Sequence, residues 1–240
     1  MHQLSDQILE LNNLIDCIDI NSINKQLKLI DKIANESLPN LQFLLSLLQK
    51  RKLNAPGFGN CVDGLIYELL YNSPDENIQK ILKEEFPDGV INLSSKSHIN
   101  YKALQLLLIN HDFQGADKLT QEKLCELAGI MPYERKWLYF TDINSLPIQD
   151  LHIIDNLWKV HSRNKFGFSI QKEIWNQNNR DWNELWKKLG WQKDTRLSRY
   201  PEEFIWDLSA PSGHLPLFNQ LRGVQSLLYL FNHPAWETKN

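Results

Sequence analysis

Cysteine is scarce in this chain. Only Cys17, Cys61 and Cys125 occur, odd in number, far apart and in no CxxC pair. That pattern argues against a disulfide framework or a cysteine-built zinc site and predicts reduced, partly buried thiols in a reducing compartment. Long apolar runs are also missing: no stretch of eighteen apolar residues exists, so no membrane-spanning helix is expected. The first twenty residues carry acids, no arginine and no uninterrupted apolar segment, which argues against a secretory or organelle-targeting leader. Enzyme signatures are absent as well. There is no GxxxxGKS/T loop, no GxSxG elbow and no HExxH, and Gly57-Phe58-Gly59 is a lone turn without a third glycine. His152 and His161 are nine residues apart on an expected helix, too far for one metal, and read as hydrogen-bonded structural histidines. His214, in the Ser212-Gly213-His214 loop, reads as a cap or support. Glu84-Glu85 and Glu202-Glu203 are adjacent acids that diverge on a helix, so neither is a catalytic pair. A non-catalytic binding protein is the expectation.

What is present is unevenly placed. Of 240 residues, 42% are apolar and 23% charged, ordinary for a globular chain. All eight tryptophans, however, lie between Trp137 and Trp236, and the first 98 residues hold five of the aromatic residues against twenty in the rest. The net charge of −3 hides a second asymmetry. Residues 159–199 contain 10 basic and 4 acidic groups, and every other segment is acidic overall. That basic segment also holds Phe166, Phe168, Trp175, Trp182, Trp186 and Trp191. Cations interleaved with flat rings suit an anionic partner with a flat face.

Apolar spacing predicts an all-α protein. Residues 4–53 read as three amphipathic helices, with Pro39 in the first turn of the third. A fourth helix runs through Leu65, Leu69 and Leu70. A fifth follows the apparent capping box Ser73-Pro74-Asp75-Glu76. Residues 1–86 thus form an N-terminal helical bundle, residues 87–98 a polar linker, and residues 99–240 a second helical domain. Within it, helices are expected near 101–109, 114–128, 148–162, 169–177, 182–189 and 215–231. Asp181 caps the fifth of these, and Pro147 and Pro216 each sit in a first turn. The long loop at residues 190–214 is too aromatic to be disordered.

A helix starting near Leu215 places Asn219 and Arg222 on one face beside Phe218, an apolar platform with an amide and a cation that suits a carboxylate. Arg199 and Tyr200, in the preceding loop, could close over it. On residues alone three readings stay open: a binder of a flat anionic ligand, a helical adaptor for protein partners, and a single-stranded nucleic-acid binder. The overall negative charge counts against the last, so no nucleic acid is expected.

Several ordered blocks resemble the genomes-uncoupled-four family of tetrapyrrole-binding regulators. They are Trp137-Leu-Tyr-Phe140-Thr-Asp-Ile143, Asp150-Leu-His152, Asn164-Lys-Phe-Gly167-Phe-Ser169, Gly190-Trp191, Trp206-Asp-Leu-Ser-Ala-Pro211, Gly213-His214-Leu-Pro216 and Asn219-Gln-Leu-Arg222-Gly. The resemblance covers residues 99–240. It implies an all-helical porphyrin-binding domain likened to a cupped hand, and a groove that takes protoporphyrin IX and Mg-protoporphyrin IX as ligand rather than built-in cofactor. It further implies an accessory role, stimulating magnesium chelatase through that enzyme's large porphyrin-handling subunit. By motif match, Phe140 and Ile143 resemble the apolar wall, Asn219 and Arg222 the polar end, and Arg199 and Tyr200 the loop. Where several members carry two tryptophans around that arginine, this chain has Leu197 and Tyr200. The implied setting is a plastid stroma, with the chain plastid-encoded, or a cyanobacterial cytoplasm. Peripheral contact with a membrane is left open.

Overall fold

A computed structural model describes residues 2–34, 38–54, 58–131, 133–193, 196–218 and 224–237. The chain divides into two compact units between Asn92 and Leu93. Among the described residues both are almost wholly helical.

The first unit has α1 (His2–Leu14), α2 (Ile20–Ala34), α3 (Leu38–Asn54), α4 (Cys61–Tyr71) and α5 (Glu76–Glu85). Neighbours pack in succession, and α2 also packs on α4. The reason is α4, which is apolar nearly all round and buried from Cys61 to Glu68 and at Leu70. Helices with a single apolar stripe must cover it. Asn60 starts α4 with a reciprocal capping box to Asp63. Asp63 also accepts from the Gly59 N–H at 2.8 Å and pairs with Arg51, Nε to Oδ1 at 2.5 Å and Nη2 to Oδ2 at 3.1 Å. Both partners are buried, and Arg51 donates further to the Ile15 carbonyl. One start differs from expectation. Asp75, not Ser73, caps α5, accepting from the Asn77 and Ile78 N–H groups, while Ser73 Oγ accepts from the Asp75 N–H one step earlier.

The second unit has α6 (Lys102–Ile109), α7 (Phe113–Leu127), a single turn α8 (Phe140–Ile143), α9 (Ile148–Val160), α10 (Phe168–Gln177), α11 (Trp182–Leu189) and α12 (Val224–Phe231). A 3-10 turn at Pro234–Trp236 follows. Residues of the polar stretch before α6 are used structurally. Asp150 is wholly buried and accepts from Ser95 Oγ, from Ser97 Oγ at 3.1 Å and from Tyr101 Oη at 2.9 Å. Gly167, at φ 138°, opens α10 where a Cβ would meet Asp155 Oδ1 at 2.8 Å. That carboxylate accepts from the Ser169 N–H and hydroxyl.

The tryptophans are mostly scaffold. Trp158 and Trp191 are fully buried, and Trp158 Nε1 donates to Thr120 Oγ1 at 3.0 Å. Trp175, Trp182, Trp186 and Trp191 form a ring-to-ring series with centroids 4.9, 5.6 and 5.4 Å apart. Phe231 of α12 closes it against Trp175 and Trp182.

The expected helix over 215–231 is corrected. Described helix begins only at Val224. Residues 215–218 are irregular, and Pro216 follows a cis peptide bond instead of opening a helix. Their backbone groups are satisfied by other elements. The Leu215 carbonyl accepts from the Gly167 N–H, the Pro216 carbonyl from Gln171 Nε2, and the Leu217 N–H donates to Asp117. Leu215, Leu217 and Phe218 are all buried, so tertiary burial overrides the helical period.

Candidate ligand site

The first part of the site grows from α8. Asp142 Oδ2 accepts from the Tyr139 N–H and from Arg135 Nη1, each at 2.7 Å. The Arg135 guanidinium holds the Asp142 carboxyl below the usual range. Ile143 is fully buried and anchors the turn, and α8 packs on α12. This leaves Phe140 38% exposed, its ring 4.9 Å from Tyr229, which is 36% exposed. Tyr139, 54% exposed, lies under the Arg135 guanidinium at 4.5 Å. Arg135 and the half-exposed Met131 also line a cavity of about 690 Å³ with Leu119, Cys125 and Ile130. Its size falls within the range of small-molecule sites. The result is an accessible apolar and aromatic platform with a fixed cation beside it.

The second part follows α11. A hairpin pairs β1 (Gln192–Lys193) with β2 (Arg196–Leu197) inside the stretch expected to be a loop. Glu203 secures the chain beyond it, accepting bidentately from Arg196 at 2.6 and 2.7 Å and from the Arg199 N–H at 2.8 Å. These bonds, the Arg196 contact first, hold the Glu203 carboxyl down at about 2. Leu197 and the Arg199 side chain are exposed. Tyr200 is half-buried against Phe204 and Trp206. His214 ties this loop to α11. It is wholly buried, its Nδ1 faces the Leu189 carbonyl at 2.5 Å, and its Nε2 accepts from the Ile205 N–H at 3.0 Å. These contacts require the neutral Nδ1–H tautomer, and burial lowers the imidazole pKa accordingly.

Of the residues read from sequence, Phe140 is on an accessible platform with Ile143 as its backing, and Leu197, Arg199 and Tyr200 lie together on the hairpin and its loop. Phe218 is fully buried, edge-on to Phe168 at 5.7 Å, so it offers no ring face to a ligand. Asn219 and Arg222 lie outside the described residues, and the helix start on which their shared face rested is not where it was expected. Met131 and Arg135 at the cavity, and Tyr139 and Tyr229 beside Arg135 and Phe140, are not singled out by the sequence. A signal existed for Tyr229, the one polar-tipped aromatic in the apolar run 227–231. Among the described residues there is no group of three or more His, Cys, Asp or Glu placed to hold a metal, and no helix long and apolar enough to cross a membrane.

Two helical units, the second carrying an exposed aromatic pair and a short hairpin, define a protein of the all-α class. The chain belongs to the GUN4 family: the GUN4-like domain matches residues 94–234, and the ARM-like repeat domain found at the N-terminus of such proteins matches residues 2–87. It is 47% identical to the ycf53 protein of Pyropia yezoensis over 98% of each chain. It is 37% identical to the chloroplastic tetrapyrrole-binding protein of Arabidopsis thaliana, over 58% of this chain and 56% of that one. Among solved structures, GUN4 from Chlamydomonas reinhardtii matches with a TM-score of 0.57 and 42% identity, covering 61% of this chain and 96% of that one.

Proposed function

We propose that this protein binds protoporphyrin IX and Mg-protoporphyrin IX in its second unit and stimulates magnesium chelatase as a non-catalytic accessory, in a plastid or a cyanobacterial cytoplasm. The partner is the chelatase's large porphyrin-handling subunit. The observation that carries the ligand half is the exposed Phe140–Tyr229 ring pair where α8 packs on α12. An exposed aromatic pair offers ring faces that a flat apolar ligand can cover. Covering a few hundred Å² of porphyrin ring returns several kcal/mol at roughly 25 cal/mol per Å² before binding costs. Arg199, an exposed residue, is a cation suited to a propionate, whereas Arg135 is already paired with Asp142. The Arabidopsis relative's name supports the same ligand class.

Two measurements test the halves separately. Protoporphyrin IX at about 100 times its Kd should raise the stability of the full chain by about 2.7 kcal/mol, seen as a higher unfolding midpoint. An unchanged midpoint counts against the ligand. In a reconstituted magnesium chelatase assay, adding the protein should raise the rate of metal insertion severalfold, and Tyr200→Ala should reduce that gain. A rate indifferent to the protein contradicts the accessory role.

A further inference from the structure

Burial anchors only one end of the turn that carries Phe140. At its C-terminal end Ile143 is fully buried, but at its start Tyr139 and Phe140 are 54% and 38% exposed. A four-residue turn is not stable by itself, because nucleating a helix fixes several residues for one hydrogen bond. Arg135 holds the exposed end. Its Nη1 donates to the Trp137 carbonyl at 2.9 Å and to Asp142 Oδ2 at 2.7 Å, and the same carboxylate oxygen accepts from the Tyr139 N–H at 2.7 Å. The guanidinium also lies over the Tyr139 ring, 4.5 Å from its centroid. One planar cation thus ties together the chain entering α8, the residue that caps it and the carboxylate of its third residue. The Arg135 and Asp142 side chains are only 19% and 20% exposed, so salt and water screen the pair less than one on an open surface. Phe140 follows Tyr139 directly, and its ring meets Tyr229 at 4.9 Å. Every link from Arg135 to that ring pair is a direct contact or a peptide bond.

We infer that Arg135 is a positioning residue for the tetrapyrrole site: through Asp142 and Tyr139 it fixes the start of α8, and with it the ring faces that Phe140 and Tyr229 present. It acts through the turn and not as a partner for a propionate. The inference rests on the proposed porphyrin binding at that ring pair.

Asp142→Ala separates positioning from direct charge contact, because the two make opposite predictions. A guanidinium that touched the ligand would be released by losing Asp142, and binding would hold or tighten. A clamp breaks when either partner is lost. The experiment titrates deuteroporphyrin IX into full-length wild type, Arg135→Ala, Arg135→Lys, Asp142→Ala, the double alanine variant and Thr120→Ala. Thr120→Ala removes the bond to Trp158 elsewhere in the second unit and controls for general loosening. Arg135→Ala and Asp142→Ala should each weaken binding at least fivefold, with little change in unfolding midpoint for so exposed a turn. Because both break one clamp, the double variant should be no more than twofold weaker than the worse single variant. Arg135→Lys keeps a cation facing Asp142 and should recover part of the loss, and Thr120→Ala should stay within twofold of wild type. Asp142→Ala that binds as tightly as wild type, or tighter, overturns the inference. So do losses that multiply in the double variant, wild-type affinity in Arg135→Ala, no recovery in Arg135→Lys, or an equal loss in Thr120→Ala. A wild type that binds no deuteroporphyrin overturns the porphyrin reading itself, and that failure shows before any substitution is made.

Discussion

Arg51→Ala is expected to destabilise the first unit by about 3–5 kcal/mol, because it leaves the Asp63 carboxylate buried without its counter-charge. Both side chains are excluded from water, and the guanidinium also serves the Ile15 carbonyl. One substitution therefore strands a charge and a backbone acceptor. Losing a few kcal/mol removes a large fraction of the stability of a small domain. Asp63 additionally accepts from the Gly59 and Asn60 N–H groups at the start of α4, so part of its charge stays solvated by the backbone. For that reason Arg51→Ala with Asp63→Asn should recover some of the loss. Urea unfolding followed by circular dichroism measures both. A loss below 1 kcal/mol in the single variant would show that the pair is not what closes this unit.

His214→Ala should cost the second unit about 3 kcal/mol, from two orphaned backbone groups and a cavity beside Phe204. Its pH behaviour gives a sharper check. Burial lowers the folded pKa of His214 below the ordinary 6.5, so the folded state favours neutral imidazole. The corresponding stability is present above about pH 6.5 and is lost as pH falls from there through the folded value. His233 is lowered too, again chiefly by burial, and contributes with the same sign. The stability difference between wild type and His214→Ala should thus shrink on acidification from pH 7 to 5; the buried Asp117 and Asp155 carboxyls, raised chiefly by burial, act with the opposite sign in both proteins and cancel in that difference. A variant with the wild-type slope would place the His214 tether outside the folded state's proton balance.

Much of the scaffold is legible in the sequence because it follows local rules. Leu65, Leu69 and Leu70 mark α4, Asp181 caps α11 by accepting from the Glu184 N–H, and Pro147 directly precedes α9. The failures are non-local. Pro216 carries a helix-start signal, yet Gly167, Gln171 and Asp117 take up the backbone groups around it from distant positions. The two-residue strands β1 and β2 are too short to show a period. For the site, the WLYF block drew attention to Phe140, and Arg199 and Tyr200 stand out in their loop. Tyr229, Met131 and Arg135 become partners only through the packing of α8 on α12 and the cavity beside α7. The tryptophans that dominate the composition build core, as the helical spacing of Trp158, Trp175 and Trp186 predicts, and the series from Trp175 to Trp191 packs ring to ring.

The most direct test of the account is a titration of the full chain with deuteroporphyrin IX, read by tryptophan emission, in wild type and Phe140→Ala. The account predicts saturable quenching with low-micromolar or tighter affinity, weakened by about tenfold in the variant, as expected for losing an aromatic stacking face worth roughly 1–1.5 kcal/mol. Quenching that never saturates, or a Phe140→Ala protein that binds as tightly as wild type, would contradict it.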